Sequence, residues 1–351
     1  MQKIRVLVVD DSALVRSLLR QIIDRQSDMV CIGTASDPLI ARNMIRELDP
    51  DVVTLDVEMP RMDGLEFLRR LMRLRPTPVI MISTLTEHGA EAALRALELG
   101  AVDYVAKPRA DVAGGFNAIA ALIVEKLRVA AGARVSRSVA DNPMAASTTA
   151  VRPAVAATKM TASSKLIAIG ASTGGTEAIR EILVRLPADF PAIVITQHMP
   201  AGFTTTFAAR LDSLCAIRVK EASHGETILR GHAYIAPGGL QFYVKPSARG
   251  YVACVEDAPP VNRHKPSVEV LFQSIARVAG PSSAIGIMLT GMGDDGARAM
   301  LEMKQAGAYN FVQDEASCVV FGMPREAILA GAADEVLPLA DIAEALIAHV
   351  A

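Results

Sequence analysis

Leu166-Ile167-Ala168-Ile169-Gly170-Ala171-Ser172-Thr173-Gly174-Gly175 is the stretch on which the reading of this chain turns. An apolar run breaks at glycines and gives way to a helix-period stripe of Ala178, Ile179, Ile182, Leu183 and Leu186. That order predicts a strand, a sharp turn and a helix, with Ser172 at the bend. A serine so placed projects its hydroxyl from the carboxyl edge of a sheet. The helix start behind it offers unpaired backbone N–H groups to an oxyanion. The pattern points to cleavage of an acyl bond. Its glycine spacing is not that of a dinucleotide fingerprint, and it lacks the lysine of a phosphate-binding loop.

The alternation continues on both sides. Downstream, Ala192–Thr196 and Ala284–Leu289 are further strands, each followed by a helix candidate. Between them, residues from about 216 to 256 carry turns at Pro237-Gly238-Gly239 and Arg249-Gly250 that predict antiparallel hairpins. Upstream, the runs Val6–Val9, Val30–Ile32, Val52–Leu55, Val79–Ile82 and Tyr104-Val105 alternate with helical stripes such as Leu14, Val15, Leu18, Leu19, Ile22 and Ile23. Continuous apolar strands interleaved with helices predict parallel sheets covered on both faces. The expected fold is therefore α/β in two domains. Residues 1–128 form a doubly wound five-stranded (βα)5 unit, and residues 165–351 form a mostly parallel sheet plus an antiparallel hairpin region. Residues 129–164, rich in Ala, Ser, Thr and Val and without an aromatic residue, are expected to be a flexible linker.

Composition narrows the function. A chain of 351 residues, 51% hydrophobic, is long enough for two cores. No apolar run reaches membrane-spanning length, and the N-terminus leads straight into a strand. A cytoplasmic protein without membrane insertion is expected. Four scattered cysteines lack metal-type pairing, and a formal charge of −2 argues against a nucleic-acid partner.

Two constellations carry chemistry. In the first, Asp10 and Asp11 end one strand and Asp56 ends the third. Parallel strands present their carboxyl ends along one edge, so the carboxylates converge and call for a hard cation such as Mg2+. Ser83-Thr84 after the fourth strand and Lys107-Pro108 after the fifth bring a hydroxyl and an ammonium to the same edge. The plainer role for Asp11 or Ser12 is to cap the helix that follows. This set resembles the receiver domain of two-component response regulators. The resemblance implies Asp56 as phospho-acceptor, Asp10 and Asp11 as metal-binding acids with the Glu58 carbonyl, and Ser83, Tyr104 and Lys107 as switch residues.

In the second, Ser172 needs a base and the base needs a carboxylate. Of six histidines, His198 ends the strand next to that of Ser172. His264, in Asn262-Arg263-His264-Lys265-Pro266-Ser267, is its rival. Asp294 or Asp295, in the glycine-rich turn Thr290–Gly296, fits the carboxylate, with Asp314 a weaker candidate. The order Ser, His, Asp is not that of α/β-hydrolases. Together with Phe321-Gly322-Met323-Pro324, these segments resemble the catalytic domain of the chemotaxis protein-glutamate methylesterases, the CheB family. The resemblance implies a triad of Ser172, His198 and Asp295, with Thr173 and Met292 as oxyanion candidates. It also implies glutamine deamidation, methyl-accepting chemoreceptors as substrate, a chemotaxis-type histidine kinase as phosphodonor, and no cofactor for the esterase step. Asp294 stands where that family often carries a neutral Asn. A DNA-binding output is disfavoured, because no compact basic helix-turn-helix is present.

Overall fold

The computed structural model describes residues 3–59, 62–83, 87–107, 113–133, 135, 161, 163, 165–248, 250–280 and 283–350. The chain divides into two compact units, Met1–Ser147 and Thr148–Ala351.

The first unit holds strands β1 (Ile4–Val9), β2 (Met29–Ala35), β3 (Val52–Asp56), β4 (Val79–Ser83) and β5 (Asp103–Ala106). They form one parallel sheet in the order β2-β1-β3-β4-β5. Helices α1 (Ala13–Asp24), α2 (Pro38–Leu48), α3 (Gly64–Leu74), α4 (Glu87–Glu98) and α5 (Ala113–Ala131) alternate with the strands. Val6 to Val9 and Val79 to Ile82 are fully buried, as expected of a sheet covered on both faces. Ser12 caps α1, its hydroxyl accepting from Val15 N at 3.4 Å, which leaves Asp11 available for other work.

The second unit holds β6 (Leu166–Ala171), β7 (Ala192–Gln197), β8 (Arg218–Glu221), β9 (His232–Ile235), β10 (Gln241–Ser247), β11 (Gly250–Glu256), β12 (Ala284–Met288), β13 (Tyr309–Gln313) and β14 (Glu335–Leu337). Seven of these make a parallel sheet in the order β14-β13-β12-β6-β7-β9-β8. Helices α6 (Gly175–Leu183), α7 (Phe203–Leu214), α8 (Val268–Val278), α9 (Ala297–Gln305), α10 (Met323–Leu329) and α11 (Leu339–Val350) complete it. The first strand, β6, lies in the middle, with β7 on one side and β12 on the other. The chain thus reverses its direction of travel between β6 and β12. Such a switch point opens a crevice at the carboxyl edge of the sheet.

The antiparallel expectation holds only for β10 and β11, which pair from Gln241↔Glu256 to Ser247↔Gly250. β8 and β9 instead pair parallel and join the main sheet. The Pro237-Gly238-Gly239 turn leads out of that sheet to β10 and closes no hairpin. The excursion between β8 and β9 is long enough to return the chain for parallel pairing, which a two-residue turn cannot do. Most of the expected linker, and Thr84, Pro108 and Arg249, lie outside the described residues. Thr161 and Ser163 already belong to the second unit: Arg230 N donates to Thr161 O, and Ser163 N donates to Ile228 O.

Candidate active site and phospho-acceptor pocket

β-Register brings the predicted nucleophile and base together. Ala171 pairs with Gln197, and His198 N donates to Ala171 O at 3.1 Å, so Ser172 and His198 leave adjacent strands side by side. On the other flank Met288 pairs with Gly170, and Ser172 N donates to Thr290 O at 3.1 Å. The turn after Ser172 is closed by Gly175 N donating to Ser172 O. Gly174 is left-handed (φ 80°), and a methyl at Gly175 would collide with the Gln197 amide. Both positions require glycine, for backbone conformation and for close approach respectively.

Beyond β12, the turn delivers Asp295 to His198. His198 Nε2 lies 2.9 Å from Asp295 Oδ2, and the side chains are 9% and 1% exposed. Asp294 is exposed, so the choice between the two acids falls on Asp295. Neither caps α9, whose N-cap is Gly296. Asp314 is taken up by Ser317, whose N and Oγ both donate to it. With Nε2 donating to Asp295, the lone pair of His198 is on Nδ1, which is buried without a hydrogen-bond partner among the described residues. His264 stacks on His198, with ring centroids 3.7 Å apart and planes 8° from parallel. The rival base is thus a ring neighbour of the chosen one.

Asp295 is heavily bonded. Oδ1 accepts from Ser267 Oγ (2.7 Å) and Asn262 Nδ2 (2.8 Å), and Oδ2 also accepts from Val268 N (2.6 Å) at the start of α8. Burial pushes its carboxyl up, but the bonds from His198, Ser267 and Asn262 outweigh that and hold it below the usual carboxylate value. Met292 is half-buried in the turn between Gly291 and Gly293. Gly291 lies so close to Ser172 that an added methyl would be 2.8 Å from its Cβ. The Thr173 carbonyl accepts from Thr290 Oγ1, tying the Ser172 turn to the end of β12.

In the first unit, one ligand oxygen each from Asp10, Asp11 and Asp56 lie within 4.8 Å of one another. Asp10 and Asp56 are buried and Asp11 is exposed. Lys107 Nζ is 2.7 Å from Asp56 Oδ2 and 3.4 Å from Asp10 Oδ2. Burial drives the Asp56 carboxyl up to about 6, against the Lys107 bond and with the help of Asp10. Asp10 is raised as well, by burial. Among the described residues, three carboxylates face one ammonium and Asp10 Oδ2 makes no hydrogen bond, a set that suits a divalent oxygen-ligated cation. Glu58 N donates to Asp56 Oδ1 at 3.3 Å. Ser83 Oγ donates to Gly89 O (2.9 Å), and Tyr104 is already buried.

The sequence matches the CheB methylesterase family over residues 167–346 and the response regulator receiver domain over residues 6–113. The chain belongs to the CheB methylesterase family. A protein-glutamate methylesterase/protein-glutamine glutaminase of Albidiferax ferrireducens is 69% identical, covering 99% of this chain and 94% of its own length. One from Nitrosomonas europaea is 57% identical, covering 99% and 97%. The crystal structure of the Thermotoga maritima CheB methylesterase catalytic domain is 40% identical, with a TM-score of 0.51 over 53% of this chain and 98% of that one. The receiver implies a divalent-metal site, and the acidic cluster lies where one is expected. No helix among the described residues is long and apolar enough to cross a membrane.

Residue-level reading of this CheB-family sequence missed Gln197, Asn262, Ser267 and Thr290. Gln197 Nε2 donates to Ser172 O at 2.8 Å, and Thr290 links the Ser172 turn to β12. Two signals were available: a polar pair, Gln197-His198, ending an apolar strand, and an asparagine in a short turn before His264.

Proposed function

We propose that this protein hydrolyses glutamyl γ-methyl esters on methyl-accepting chemoreceptors, and deamidates receptor glutamines, by a Ser172-His198-Asp295 triad. The buried His198–Asp295 pair beside Ser172 is the observation that carries this reading. Ser172 Oγ attacks the ester carbonyl as its proton passes to His198 Nδ1. Asp295, accepting from Nε2, orients the ring and offsets the imidazolium charge. The ring is used in the opposite sense to the Ser-His-Asp template, in which Nε2 faces the serine. Backbone N–H groups of Thr173 and Met292 stabilise the tetrahedral oxyanion. Imidazolium protonates the departing methoxide, releasing methanol, or the departing amine of a glutamine, releasing ammonia. Water, deprotonated by the same nitrogen, then frees the glutamate. The esterase step uses only these side chains and backbone amides.

In this reading residues 1–128 are the receiver, 129–164 the linker and 165–351 the catalytic domain. A chemotaxis-type histidine kinase supplies the phosphoryl group to Asp56. Asp10, Asp11, Asp56 and the Glu58 carbonyl would hold Mg2+, which offsets charge on the transferring group when bound. Lys107 sits against the acceptor carboxylate, ready to pair with the phosphoryl group. The resting receiver holds activity down, and phosphorylation relieves it. The switch is carried by Ser83, which leaves Gly89 O, and by Tyr104, which is buried in this structure. The setting is cytoplasmic, with receptor and kinase as protein partners. Methanol release from methylated receptor, with and without a small phosphodonor, tests the whole. No release in either condition would overturn it.

A further inference from the structure

The loop that carries His264 is a two-residue hairpin turn. Val261 N donates to His264 O at 3.0 Å and His264 N to Val261 O at 2.8 Å. The central residues, Asn262 and Arg263, have φ of 50° and 68°. Two successive positive φ values are what a type I′ turn requires, and Asn-Gly is its preferred pair. Asparagine suits the first position. Arginine at the second is strained, because its Cβ crowds the backbone in the left-handed region.

The turn is held on the triad from both ends. Asn262 Nδ2 donates to Asp295 Oδ1, and His264 stacks on His198. Arg263, between these two anchors, is exposed and makes no hydrogen bond or ion pair among the described residues. The neighbouring cation is engaged elsewhere: Lys265 Nζ pairs with Asp257. Asp294, exposed at the neighbouring turn, does not pair with Arg263 either. A residue that glycine would replace with less strain thus carries an uncommitted guanidinium on a turn anchored to His198 and Asp295.

We propose that Arg263 is a substrate-reading residue, pairing with a carboxylate that flanks the scissile ester on the receptor segment. This rests on the proposed reading that the substrate is a receptor glutamyl ester, here taken to lie on a helix. There, side chains three and four positions away share the ester's face. Guanidinium is the group best matched to a carboxylate, and the turn fixes where it stands.

The test uses the full-length protein treated with a small phosphodonor. Its substrates are two methylated receptor cytoplasmic fragments: one keeps glutamates three and four residues from the ester, and the other has alanines there. Methanol release should favour the glutamate-flanked fragment by about tenfold in kcat/KM, mainly through KM. That preference should weaken with salt. Arg263→Gly should abolish the preference while raising the thermal midpoint, which separates the loss from unfolding. Arg263→Lys should keep part of it, and Arg263→Glu should invert it. An unchanged preference in Arg263→Gly and Arg263→Glu would overturn the proposal. The underlying triad fails separately, if Ser172→Ala still releases methanol from both fragments.

Discussion

Two buried aspartates, Asp295 and Asp56, each sit at the carboxyl edge of a parallel sheet, yet their acidities move in opposite directions. Burial pushes both up. Around Asp295 it is outweighed by His198, Ser267, Asn262 and the start of α8. Around Asp56 a single ammonium is shared with a second buried carboxylate, and the value climbs to about 6. The difference lies in the donors each fold supplies. One site is a finished hydrogen-bond network, and the other is short of positive charge until a cation supplies it.

The largest expected effect breaks the finished network. Asp295→Asn leaves an amide N–H facing existing donors, whichever way it is turned. It should cost roughly four orders of magnitude in kcat, and Ser172→Ala roughly six, both measured by methanol release. His264→Ala should leave far more activity than His198→Ala. The reverse ranking would exchange their roles.

The next effect addresses the unfinished site. Asp56→Ala should abolish the response to phosphodonor and hold the full-length chain at its resting rate. A fragment starting just before Thr161 should exceed that rate and ignore phosphodonor. A tenfold gain would mean that about 1.4 kcal/mol favours the restrained state. A fragment no faster than resting protein would show that phosphorylation adds something instead of removing a restraint.

Stability should separate the two sites by sign. The Asp295 carboxyl is held below its unfolded value, so its stabilisation is present above about pH 4 and is lost as pH falls through the folded value. Asp295→Asn should therefore destabilise the catalytic unit at neutral pH by roughly 1–3 kcal/mol, with the gap closing in acid. Asp10 is raised, so its contribution is present below about pH 4 and lost as pH rises through the folded value. Asp10→Asn should stabilise the receiver at neutral pH while removing the stabilisation that Mg2+ gives the unmodified protein. Calorimetry across pH, with and without Mg2+, reads both signs. The smallest effect is expected from Ser267→Ala, which removes one of several donors to Asp295. It should lower kcat only several-fold, since the Asn262 and Val268 bonds remain.

Parallel strands followed by glycine turns were legible in the residues alone. With them came the convergence of Ser172, His198 and the Asp294-Asp295 pair, because every parallel strand ends on the same edge. Asp10, Asp11, Asp56 and Lys107 were legible for the same reason. Four things were decided only by packing. Asp295 faces inward while Asp294 faces solvent. His264 became a stacking partner of His198. Nε2 of His198 faces the carboxylate, which leaves Nδ1 without a hydrogen-bond partner among the described residues. β8 and β9 joined the parallel sheet instead of folding back as a hairpin. A repeating pattern specifies where a strand ends, since that depends on local residue chemistry. Which of two adjacent side chains turns inward, and which ring nitrogen meets a carboxylate, depends on elements far away in sequence: here β12, the turn at Asn262 and the start of α8.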